Sequence, residues 1–102
     1  MKRMDKAAFM TRGQAGLGGP VTGKPSEVFK EHFYICPFFE DDPIELVEVM
    51  GVDRVLFGSD WPHPEGLDEP LSFADKLFGR TTPEDTRKIM RSTTAGLVGL
   101  AA

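Results

Sequence analysis

Asp53-Arg54-Val55-Leu56-Phe57-Gly58-Ser59-Asp60 decides how this chain is read. Val55, Leu56 and Phe57 form an apolar run without alternation, the pattern of a strand covered on both faces. The run closes on a glycine, a serine and an acid, so the expected strand carries a carboxylate at its C-terminal end. Upstream, Phe33-Tyr34-Ile35-Cys36-Pro37-Phe38-Phe39 is a second apolar run of strand length, followed by Glu40, Asp41 and Asp42. Pro37 counts against a regular ladder there, because proline has no N–H to donate. Between the two runs, Asp42-Pro43-Ile44-Glu45 is a helix start: Asp42 can cap, Pro43 suits the first helical position, and Glu45 can reach back to the cap. The helix is expected to run to Met50 and to stop at Gly51. Two buried strands joined by a helix of about eight residues make a right-handed parallel βαβ unit, and the fold class expected is α/β.

Downstream of Asp60, Pro62, Pro64, Gly66 and Pro70 predict an irregular segment. Leu71, Ala74, Leu77 and Phe78 are spaced for one face of a helix. Thr82-Pro83-Glu84-Asp85 repeats the signature of cap, proline and acids, and opens a last helix to about Ser92 or Leu97. Ile89, Met90 and Leu97 are expected to face the core, with Leu100 packing just beyond. Upstream, Pro25 opens a short helix to Phe33 with Val28, Phe29 and Phe33 as its apolar stripe. Residues 2–11 read as another short helix. Between these two, residues 13–23 hold five glycines and Pro20, which predicts a flexible linker. The expected division is therefore residues 1–24, an N-terminal helix and glycine-rich linker, and residues 25–102, the compact part.

Composition narrows the function classes. The 102 residues are 40 % hydrophobic, too apolar for a disordered tail. Charged residues make up 27 %, and no apolar run approaches the roughly 18–20 residues of a membrane helix. Net charge is −4, unevenly spread: residues 1–31 hold six basic and three acidic groups, and the remainder six basic and thirteen acidic. The acidic bulk argues against nucleic acid as a partner. Cys36, the single cysteine, rules out an internal disulfide, and with no secretion signal apparent the expected compartment is the cytoplasm.

In parallel α/β folds, functional groups collect where strands end. Asp60 is the first candidate there. A carboxylate at a sheet rim can bind a cation or accept a proton from bound water, and it can equally serve as a turn cap. His63 and Trp61 stand next to it; one His and one Asp do not make a metal site, so on spacing alone His63 reads as a loop hydrogen-bonding residue and Trp61 as a packing residue. His32 lies at the wrong end of the first run. Cys36, inside an apolar run, reads as an inert thiol. Ser59 has no partner arrangement for a nucleophile.

Gly51 to His63 fits, without a gap, the pattern G-x-D-R-[IV]-L-F-G-S-D-[YW]-P-H. This stretch, running on to Gly66, resembles the last barrel strand of the amidohydrolase-related metal-dependent hydrolases, the group that includes aminocarboxymuconate-semialdehyde decarboxylase-like enzymes. The resemblance extends back through 33–43 and forward through 85–90. It implies a (β/α)8 TIM barrel of which this chain holds the last two βα units. It implies that Asp60 is a catalytic residue and a ligand of a divalent metal, most often zinc, in the complete site. Trp61 and His63 map to the substrate pocket, and the substrate class is a small molecule. The chain also departs from the family. A barrel takes about 250 residues; the His-x-His pair of the first strand and the later strand histidines are absent, and only His32 and His63 exist. Near the end, the usual Asn-Ala-Ala-Arg-Leu-Tyr-Gly-Leu is replaced by Thr93-Thr94-Ala95-Gly96-Leu97-Val98-Gly99-Leu100. Two readings follow: a C-terminal fragment of a metal-dependent hydrolase or decarboxylase, inactive and metal-poor alone, or a non-catalytic α/β module whose open sheet edges make it self-associate or dock onto a complementary barrel fragment.

Overall fold

The computed structural model describes residues 1–10, 23–37 and 41–101, with side chains from 8 to 10 left aside. The expected linker, apart from Gly23, and Phe38, Phe39 and Glu40 lie outside the described residues. Packing divides the chain into two compact units, Met1–Phe33 and Tyr34–Ala102.

Among the described residues the first unit holds two helices, α1 (Lys2–Met10) and α2 (Pro25–His32). Pro25 fits the first turn of α2, but Lys24, at the cap position, offers no side-chain acceptor. Asp5 of α1 supplies it instead, accepting from the Ser26 backbone N–H at 2.8 Å and from the Ser26 hydroxyl at 2.6 Å. The carboxylate thus satisfies one of the open N–H groups at the start of α2 and faces the positive end of its dipole. Both hydrogen bonds hold the Asp5 carboxyl below its ordinary range, the hydroxyl contact contributing most. Phe29 and Phe33 stack at 4.4 Å, consistent with the expected stripe, although Phe33 stays half-exposed.

The second unit opens with the expected helix. α3 (Pro43–Met50) is capped by Asp42, which accepts from the Ile44 N–H at 3.0 Å, and stops at Gly51, whose φ of 88° is open to glycine at little cost. Arg80 closes on the same carboxylate with a two-pronged grip: Nη1 to Oδ1 at 3.0 Å and Nη2 to Oδ2 at 2.7 Å. Arg80 first, and then the Ile44 N–H, lower the Asp42 pKa. A depressed carboxyl stabilises the fold above the unfolded-state value of about 4 and loses that contribution as pH falls through the folded value. Arg80→Gln should therefore destabilise the protein at pH 7, and the gap to the unaltered protein should narrow steadily below pH about 4. Urea unfolding at a series of pH values checks this; a gap that stays constant on acidification would show that Asp42 is not the group involved.

The two expected strands differ from the structure. Among the described residues their pairing is one parallel bridge, Ile35 to Val55. The Ile35 N–H donates to the Arg54 carbonyl and the Leu56 N–H to the Ile35 carbonyl, both at 2.8 Å. This is the hydrogen-bond pattern of a parallel ladder, reduced to a single rung. Each end has a reason. Residues Val52–Arg54 form a 3-10 turn ahead of the bridge. Beyond it, the next donor on the first run would be Pro37, which has no N–H. The Phe57 N–H goes elsewhere, to the Ile89 carbonyl at 2.9 Å.

That last bond depends on an irregularity in the C-terminal helix. α4 (Pro83–Arg87) begins as expected, with Thr82 Oγ1 accepting from the Asp85 N–H at 3.1 Å. The helix then widens into a π turn over Lys88–Ser92 before α5 (Thr93–Leu97). In the π turn the Thr93 N–H bonds to the Lys88 carbonyl rather than to that of Ile89. The Ile89 carbonyl is left for Phe57, which anchors the extended segment to the helix. Val55, Phe73, Leu77 and Ile89 are fully buried and form the core with Met50, Pro43 and Ala95. The segment 70–78 is a 3-10 helix (Pro70–Lys76) rather than an α-helix, so the expected apolar face is out of phase. Phe73 and Leu77 go inside, while Leu71 and Phe78 are 77 % and 86 % exposed. Leu97 and Leu100, expected at the core, are also exposed. Among the described residues no helix is long and apolar enough to cross a membrane.

Candidate functional site

Asp60 stands where the extended segment from Val55 turns into an irregular loop, not on a helix; the expected strand is reduced there to a single bridge and the Asp60 side chain is exposed. Its backbone is left-handed, with φ 55°. A non-glycine residue in this region costs on the order of 1 kcal/mol, and aspartate tolerates it better than most. The loop that follows is closed by its own hydrogen bonds. The Leu67 N–H reaches the Ser59 carbonyl, the His63 N–H the Asp60 carbonyl, and the Gly66 N–H the His63 carbonyl, each at 2.8 Å. Ser59 Oγ accepts from the Trp61 N–H at 3.3 Å, the bond of a turn-forming serine. The Trp61-Pro62 peptide bond is cis.

The loop brings together all three residues singled out in the sequence. His63 Nδ1 lies 3.6 Å from Asp60 Oδ2, with the two side chains 57 % and 56 % exposed. The same Nδ1 accepts from the Glu65 N–H at 3.3 Å. A nitrogen that accepts there has no proton to give to Asp60, so in the neutral ring the proton sits on Nε2, away from the carboxylate. Trp61 is 63 % exposed and lies in open loop rather than in the core. His32 is exposed and belongs to the first unit. Cys36 is exposed as a residue, but its sulfur lies against Gly58 and donates to the Phe57 carbonyl at 3.4 Å. Burial, with the Asp60 charge second, pushes its thiol pKa up, the opposite of what a nucleophile needs.

A catalytic zinc centre uses three or more protein ligands. Asp60 and His63 offer two donors, and among the described residues no group of three or more His, Cys, Asp or Glu side chains could hold a metal ion. The described residues therefore do not make a complete metal centre. Two shallow grooves mark this unit: one lined by Ile44, Val47, Arg80 and Asp85, the other by Phe57, Met90, Val98 and Leu100. Asp60 lines neither. Sequence reasoning missed Gly66 as a contributor to the site. A Cβ built there would come within 2.5 Å of the Asp60 carbonyl oxygen and 2.7 Å of its carbon. Gly66 closes the motif-bearing stretch, but no spacing rule marks which backbone it touches.

The family described as amidohydrolase matches residues 7–100 of the chain. An amidohydrolase of known structure from Mycobacterium avium subsp. paratuberculosis K-10 superposes with a TM-score of 0.79 at 42 % sequence identity, covering 99 % of this chain. No curated protein matches the sequence. The chain belongs to the amidohydrolase family. It spans 24 % of the length of that solved amidohydrolase. The family is one of TIM barrels that generally bind divalent metals and act on small molecules.

Proposed function

We propose that this chain forms the C-terminal two βα units of a metal-dependent amidohydrolase-related barrel that hydrolyses or decarboxylates a small molecule. Asp60 is its contribution to the divalent-metal cage, zinc being the expected ion, and Trp61 and His63 stand at the edge of the pocket. The observation that carries this reading is the left-handed Asp60 at the exit of the bridge-forming segment, held by a self-bonded loop with His63 beside it. Backbone strain of this kind persists where a site needs a particular carboxylate direction. The remaining ligands would come from the other strands of a barrel, so the chain alone is expected to be inactive and to bind metal poorly.

A second reading, a module that self-associates or docks onto a complementary partner, is favoured by the apolar side chains left on the surface, Leu71, Phe78, Val98 and Leu100 among them. Two experiments address these readings. The matching quarter of the Mycobacterium avium amidohydrolase is replaced by this chain. The chimera should fold and hold a divalent metal, and Asp60→Asn should reduce its metal content at least ~10-fold while the fold is kept. Metal content unchanged by Asp60→Asn would remove Asp60 from the cage. In parallel, light scattering of the chain alone should show a mass that grows with concentration; a monodisperse monomer would remove self-association from the second reading.

A further inference from the structure

We infer that Gly66 is a positioning residue for Asp60: by carrying no side chain it lets the loop fold back onto the Asp60 carbonyl and keeps that residue left-handed. The inference takes from the proposed function only that Asp60 is the working carboxylate. Asp60 leaves the extended segment with φ 55°, and its carbonyl accepts from the His63 N–H at 2.8 Å. Gly66 packs against the back of that same peptide. A Cβ on Gly66 would sit 2.5 Å from the Asp60 oxygen, 2.7 Å from its carbon and 2.7 Å from the Ser59 oxygen. All three are backbone atoms, so no rotamer change relieves the overlap. Either the Asp60 peptide turns or the loop opens. A positive φ at Gly51, Gly79 and Gly99 explains those glycines by their own backbone, whereas Gly66 has no positive φ to explain it. Its requirement is the space it leaves for another residue. Turning the Ser59–Asp60 peptide, whose oxygen is one of those three backbone atoms, changes φ at Asp60 and re-aims its Cβ, and with it the carboxylate that lies 3.6 Å from His63.

The test is nuclear magnetic resonance on the full chain at one fixed pH. A left-handed residue has a short distance between its amide and α protons, so Asp60 should give a strong intraresidue cross-peak. In Gly66→Ala this cross-peak should fall severalfold and the His63 ring resonances should move. Gly96→Ala, at an exposed position of α5 with open space around it, should leave both untouched. If Gly66→Ala does not fold, the double variant Gly66→Ala with Asp60→Gly should recover the fold, because a glycine at 60 can take the new path. A folded Gly66→Ala that keeps the Asp60 cross-peak and the His63 resonances overturns the inference, and so does an unfolded one that Asp60→Gly does not rescue. These readouts need no metal. Metal content that ignores Asp60→Asn in the chimera would end the metal assignment and leave this result standing.

Discussion

Phe73→Ala should destabilise the second unit by roughly 3–5 kcal/mol, the range for truncating a fully buried phenylalanine. Phe73 has no exposed surface, meets Phe57 edge to face at 5.4 Å, and has the Lys76 ammonium 5.9 Å from its ring centre. Removing the ring opens a cavity and takes away the aromatic contact that backs the extended segment leading to Asp60. Small domains hold about 5–15 kcal/mol in total, so this one change should consume much of the available stability. Phe73→Leu, which keeps most of the volume, should cost less than about half as much. Urea unfolding with the m-value compared between variants is the measurement. A loss below about 1 kcal/mol would mean that the site collapses around the deletion, and that Phe73 is not the centre of the core.

Gly58→Ala should cost about 1–3 kcal/mol, the range for forcing an extra methyl into packed space. A Cβ at residue 58 would overlap the Cys36 sulfur, while the Cys36 Cβ lies at an ordinary 3.7 Å. The overlap is with one atom, so Cys36→Ala in the same chain should restore most of the loss. A double-mutant cycle should return a coupling energy of about 0.5–3 kcal/mol. The alternative outcome is also readable. If the sulfur swings clear, Gly58→Ala will be nearly neutral and Cys36 will react faster with a thiol reagent, which would show that the two segments flanking the bridge are loosely packed. The predicted coupling matters for the site, because Gly58 and Asp60 lie on one short path from the bridge to the loop.

The parts of this fold that the sequence made legible are those set by neighbouring residues. Asp42, Pro43 and Gly51 define α3 because cap, first-turn proline and left-handed stop each act within one turn. Thr82 and Pro83 do the same for α4. The partnership of the two apolar runs was legible too, and Ile35 pairs with Val55 in parallel. Its length was not, because ladder length depends on where each N–H finds an acceptor, and Phe57 finds Ile89 on a distant helix. Phe73 is hidden in the sequence because a 3.6-residue period does not describe a segment that winds as a 3-10 helix. Asp60, Trp61 and His63 stand out in the sequence because they adjoin in one stretch, and the structure keeps them in one loop. The left-handed backbone of Asp60, the Asp5 cap on α2 and the close approach of Gly66 were not legible, since each is a meeting of residues that no local pattern joins.

The widened turn at Lys88–Ser92 makes the tail of this protein sensitive to length in a way that substitutions do not reveal. Such a turn stores one surplus residue within an otherwise ordinary helix. Deleting a single codon there would close it to an ordinary α turn and draw the Ile89 oxygen back into the spiral. The segment carrying Asp60 would then lose its mooring without any change in its own letters.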